Sequence, residues 1–155
     1  MQRWRGTGRA DGRTVPRRLY CEGVSGEEYP DERRWVLRFA GMPPNLQNIH
    51  LLPYVRAKVE RHWRMRAALL ARALGVPEMA RVHLHVTIYR RALGVADADG
   101  DMARVKPLLD GLVDARVIPK DTRSYVTWDW PIEERRQDRD HPTGVELEVR
   151  EIAEE

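Results

Sequence analysis

The sequence predicts an α/β fold of the α+β kind: a small mixed β-sheet with two principal helices, in the order β-α-β-α-β-β. Three observations carry this. Val82, Leu84, Val86 and Ile88 alternate with His83, His85, Thr87 and Tyr89, the two-residue period of a strand. Val55, Val59, Trp63, Ala67, Leu70 and Leu74 fall three and four apart, one apolar stripe on a helix. A second helical stripe, Met102, Val105, Leu109, Leu112 and Val113, follows a turn rich in aspartate.

Taken in order, residues 1–34 hold Gly6, Gly8, Gly12, Pro16, Gly23, Gly26 and Pro30 among arginines and glutamates with no steady period. They read as a basic, flexible N-terminal arm, with one domain over residues 35–155. Trp35, Leu37 and Phe39 alternate with Val36, Arg38 and Ala40, giving the first strand. Pro43 and Pro44 block a helix in the loop that follows, and Asn45, Gln47 and Asn48 supply turn chemistry. The first helix starts near Tyr54 and is stopped by Gly75 and Pro77. Pro107 removes a hydrogen bond from a helix interior, so the spacing predicts a turn over 100–104 and a regular helix only from Val105 or Lys106. Val126, Trp128 and Trp130 share one side of a strand, residues 133–144 form a polar loop, and Val145, Leu147 and Val149 close the sheet.

Composition limits the function classes. A chain of 155 residues with 42% apolar and 33% charged residues has a compact core under a heavily charged surface. No apolar run approaches the roughly 18 residues needed to span a bilayer. Cys21 is the only cysteine, which excludes an internal disulfide framework and points to a reducing cytoplasm. Net charge is only +3, but it is unevenly spread. Residues 1–18 hold six arginines against one Asp, and residues 54–72 hold five arginines and a lysine against one Glu. From Glu133 onward nine acids face four bases. A basic face of this kind suits an anionic partner, with Arg56, Lys58, Arg61, Arg64 and Arg66 the candidate DNA-backbone contacts.

The candidate chemistry lies between Val82 and Val126. Asp97, Asp99 and Asp101 sit in one turn, Lys106 lies on the helix, and Asp121 occupies a second turn after it. Both turns flank one helix, so carboxylates from the two can meet. Oxygen ligands of this type hold hard cations, which polarise a phosphate oxygen and lower the pKa of an attacking water. Lys106 follows Asp99 by two helical turns on one face, within reach of a phosphate. His83 and His85 share a strand face but have no third soft ligand nearby, and they read as ordinary second-face residues. The aspartate-rich turn lacks the Glu of a calcium loop, since Leu108 stands at the twelfth position from Asp97.

Residues 97–126, DADGDMARVKPLLDGLVDARVIPKDTRSYV, resemble the RusA-type Holliday-junction resolvases, above all variants of actinobacterial phages and prophages. Those carry an Asp-x-Asp-Asn turn, a lysine-bearing helix with Asp-(Ala/Gly)-Leu, and a later acidic turn. PPNLQNIH, the basic helix with HWR, and RVHLHV are similar to the family's upstream elements, so the likeness covers about residues 35–152. Asp97 and Asp99 match the paired aspartates, Lys106 the lysine and Asp121 the later aspartate; Asp110 matches a helix aspartate in a supporting role.

The resemblance implies a RusA-like endonuclease domain over 35–155 and Mg²⁺-dependent endodeoxyribonuclease activity that resolves four-way junctions in recombination and repair. Mn²⁺ can substitute. It further implies a homodimer, in the cytoplasm of a bacterial or phage-infected host cell. Asp97, Asp99 and Asp121 are then the catalytic metal ligands, with Lys106 catalytic beside them. Asp101 stays open as an alternative ligand, and the 97/99 pairing is preferred because it sets the lysine at the phage-type spacing. Gly100 replaces the family's Asn, and Lys120 precedes Asp121 where an acid is common. A catalytically impaired branched-DNA binding protein, or a broader flap or fork nuclease, are the alternatives.

Overall fold

The computed structural model describes residues 3–5, 9–10, 13–14, 16–47, 50–94 and 98–153. Its centre follows the expected order. β6 (Arg34–Ala40) leads through a loop into α1 (Pro53–Leu74), then β7 (Val82–Arg90), α2 (Ala98–Asp114), β8 (Val126–Trp128) and β10 (Gly144–Glu151). β10 lies between β6 and β7 and is antiparallel to both, while β8 runs parallel to β7. The sheet is therefore mixed, and the fold is α+β. Both crossover connections, β6-α1-β7 and β7-α2-β8, progress in the same direction across the sheet. Right-handed crossovers then place both helices on one face. One core contains Trp63, Ala67, Leu70 and Leu74 from α1, and Val105, Leu108, Leu109 and Leu112 from α2. Trp35, Leu37, Phe39, Leu84, Val86, Ile88, Leu147 and Val149 complete it from the sheet.

Four stretches differ from the sequence reading. Residues 17–34 are not a loose arm: β4 (Arg17–Cys21) and β5 (Val24–Tyr29) extend the sheet antiparallel to β6. Ahead of them, β1 (Arg3–Arg5) pairs with β4, and β2 (Arg9–Ala10) pairs with β3 (Arg13–Thr14). The supposed loop after Pro131 begins with β9 (Glu133–Arg136), parallel to β7 beyond β8. α2 starts at Ala98 and passes through Pro107. Pro107 and Ala103, four residues before it, both line an open cavity, where water can take the place of the missing donor.

The helices cross closely at Gly111. A Cβ there would fall on the backbone oxygen of Arg64 and 2.6 Å from the Ala67 Cβ. This glycine is required by the close approach, and it sets the depth of the groove between the helices. Among the described residues, no helix is long and apolar enough to cross a membrane.

The sheet face away from the helices is laced with charge. Arg38 pairs with Glu27 and Glu146, and Arg34 with Glu148. At its β8–β9 edge, His85 donates from Nδ1 to Asp129 at 2.7 Å and from Nε2 to Glu133 at 2.6 Å. His83 lies 2.9 Å from Thr127 Oγ1 and 3.1 Å from Asp129. Burial alone would lower the His85 pKa, but the hydrogen bonds to Glu133 and Asp129 and their charges outweigh it and raise it above the ordinary value. A raised folded-state pKa adds stability that is complete below the unfolded value of about 6.5 and is lost as pH rises through the folded one. The urea midpoint is therefore expected to fall as pH rises above about 6.5, and His85→Gln should flatten that slope. An unchanged slope in the variant would show that the edge is held otherwise.

Candidate functional site

α1 and α2 enclose a cavity of about 590 Å³ roofed by the β6–α1 loop. Helix periodicity explains its lining. Asp99, Ala103, Lys106 and Asp110 recur at three and four residues on α2, and Arg56, Glu60 and Arg64 recur at four on α1. Leu46 and Gln47 come from the loop. The loop is fixed by an Asx turn, in which Gln47 N–H donates to Asn45 Oδ1 at 3.1 Å. Arg104 of α2 also donates to the Pro43 carbonyl at 2.9 Å.

Lys106 is the centre of the site. Its Nζ donates to Asp110 Oδ1 at 2.6 Å and to Asp121 Oδ2. Desolvation opposes its charge, but hydrogen bonds to Asp110 and Asp121 and their charges outweigh this and raise its pKa. The hydrogen bond from Lys106 likewise lowers the Asp121 pKa despite some desolvation. The ammonium and Asp121 are therefore both ionised at neutral pH. Lys106 and Asp121, fifteen residues apart, meet because the chain turns back after α2: Val117 N–H donates to Leu112 O, and Met79 N–H to Val117 O. Asp110, read from sequence only as a supporting residue, is Lys106's second partner.

The three aspartates of the first turn have different surroundings. Asp99 is exposed and lines the cavity. Asp101, two residues on, points the other way and is only 4% exposed. Arg90 holds it there at 2.6 Å. Asp97 lies outside the described residues. Among those described, no three His, Cys, Asp or Glu side chains form a group that could hold a metal ion. The acids that line the cavity, Glu60, Asp99 and Asp110, offer carboxylate oxygens, which suit a hard divalent cation rather than zinc or copper.

The basic helix is divided. Arg56 stands on the cavity wall, 3.6 Å from Glu60. Arg64 grips Asp114 of α2 with two prongs, Nη2 lying 2.7 Å from Oδ1. Lys58 and Arg61 are exposed. Arg66 is turned inward: it lies 4.4 Å over the Trp63 ring and donates to Gly23 O at 2.7 Å. Burial lowers its pKa. Its place is therefore between α1 and the β4–β5 turn, and sequence periodicity could not separate it from its exposed neighbours. The Arg64–Asp114 pair was also missed, although both residues fall on helix faces that meet at Gly111.

The chain matches no family model and no curated protein.

Proposed function

We propose that this chain is a metal-dependent, structure-selective endodeoxyribonuclease of the RusA type that cuts four-way DNA junctions as a homodimer. One observation carries the reading. Lys106 sits between Asp110 and Asp121 on the helix face that also carries Asp99, beside a cavity walled by Arg56 and Arg64. Cations for phosphate and carboxylates for a divalent ion thus occur together. A basic groove alone would give only DNA binding.

Asp97, Asp99 and Asp121 would hold Mg²⁺ or Mn²⁺, with Asp101 assigned to another task by its buried partner. When bound, the ion supplies Lewis-acid polarisation of the phosphate and a more acidic attacking water. Arg56 and Arg64 bind phosphate oxygens and orient the strand across the cavity. Lys106, released from one acid as the phosphate enters, stabilises charge developing on the scissile group. Lys58 and Arg61, outside the cavity, add backbone contacts. A C2 homodimer suits the near-two-fold symmetry of a four-way junction and the need for two cuts.

The test uses labelled four-way junction, flap and linear duplex, each with Mg²⁺, Mn²⁺ or EDTA. Paired nicks on the junction that need metal support the proposal. Binding without cutting would replace it with a branched-DNA binding protein, and equal flap cleavage with a broader nuclease.

A further inference from the structure

Asp101 is the buried acid that the proposed chemistry leaves unused. An acid in the first turn of a helix ordinarily lies in solvent, where it answers the helix dipole. Asp101 instead shares the inward face of α2 with Val105, Leu108 and Leu112. Removing a carboxylate from water is costly unless it is well paired, and here the pairing is close. Arg90 Nη2 donates to Asp101 Oδ1 at 2.6 Å and Nη1 approaches Oδ2 at 3.4 Å. The same Nη1 donates to Glu134 Oε2 at 2.7 Å, and Glu134 Oε1 accepts the Gly94 N–H. Only 12% of the Arg90 side chain is exposed.

Four pieces of chain are tied through this guanidinium and the Glu134 carboxylate: the end of β7, strand β9, the loop after β7 at Gly94, and the first turn of α2. We propose that Arg90, Asp101 and Glu134 form a clamp that sets the phase of the first turn of α2 and so aims Asp99 into the cavity. Asp99 and Asp101 are about 200° apart around a helix, so a turn anchored through Asp101 presents Asp99 on the opposite side. Arg90 and Asp101 are positioning residues, acting on the proposed reaction through Asp99. The clamp as a positioning device rests on the nuclease reading; the clamp as a tether for the turn does not.

The test compares wild type, Asp101→Asn and Arg90→Lys, with Arg34→Gln as a control that breaks a half-buried pair on the far sheet face. Amide hydrogen exchange is read at Gly94 and residues 98–101, and junction cutting is titrated with Mn²⁺. In Asp101→Asn, amide protection at these positions should drop. The Mn²⁺ midpoint should rise roughly 10–100-fold, the scale seen when groups supporting metal ligands are removed. KM for the junction should stay constant. Arg90→Lys, which keeps the charge but loses the fork, should fall between, and Arg34→Gln should leave the Mn²⁺ midpoint unchanged. Unchanged protection and an unchanged Mn²⁺ midpoint in Asp101→Asn would overturn the clamp. A folded wild type that cuts no substrate with any metal would overturn the nuclease reading and the positioning role with it, while the exchange data would still show whether the tether exists. Should Asp101→Asn fail to fold, Arg90→Lys decides by the same two readouts.

Discussion

Lys106→Met is expected to lower the rate of junction cutting by about 10²–10³-fold, the usual cost of removing a positioned donor from developing charge. The substitution keeps most of the side chain's length and apolar stem, so the helix face and the cavity wall persist. What it removes is the only cation that reaches both Asp110 and Asp121 among the described residues. The loss should fall on kcat, with junction affinity held by Arg56 and Arg64 on the facing helix. A second consequence distinguishes this from unfolding. With Lys106 gone, the Asp121 carboxyl loses the main cause of its depressed pKa and should titrate closer to its ordinary value. Single-turnover rates and a carboxyl titration followed by NMR check the two together. A variant with wild-type kcat would assign Lys106 to holding the turn after α2 and no more.

Trp63→Ala is expected to cost about 3–5 kcal/mol of stability, the range for truncating a large buried aromatic. Trp63 is the first buried residue of the α1 stripe, 9% exposed. Its ring also serves as the platform for Arg66, which lies over it while donating to Gly23 O. Removing the indole therefore opens a cavity and loosens the link between α1 and the β4–β5 turn. Urea denaturation measures the effect. A cost under about 1 kcal/mol would mean that the site collapses around the missing ring or that α1 is held elsewhere, chiefly through Gly111 and the Arg64–Asp114 pair.

The sequence disclosed the elements whose pattern is apolar. β7 alternates cleanly because one of its faces meets two helices. α1 runs from Pro53 to Leu74 and is capped by a left-handed Gly75, close to the bounds read from Tyr54 and Gly75. The charged strands stayed hidden. β4, β5 and β9 lie toward the edges of the sheet, and their outward side chains are satisfied by ions on neighbouring strands: Arg18 by Glu27, Glu27 by Arg38, Glu133 by His85. Such cross-strand pairing stabilises a sheet, but each strand alone reads as a polar loop.

The site was legible in part for a related reason. The Asp99-to-Lys106 spacing placed both on one helix face, and that face lines the cavity. The separation of Asp99 from Asp101 is not legible in the sequence, because Pro107 predicts a later start of the helix. Once the helix begins at Ala98, Asp101 falls in register with Val105, Leu108 and Leu112 and must point inward. Arg66 illustrates the opposite limit, since its long side chain crosses from a helix flank to a backbone oxygen that no periodicity could name.

The most direct test of the central claim is cleavage of a labelled four-way junction by wild type and Asp99→Asn, measured with Mg²⁺ beside an electrophoretic binding assay. The expected result is symmetric, metal-dependent nicking by the wild type, loss of nicking in Asp99→Asn, and junction binding retained by both. Equal nicking by Asp99→Asn, or a wild type that binds the junction and never cuts it with Mg²⁺ or Mn²⁺, would contradict a nuclease centre at the α1–α2 cavity.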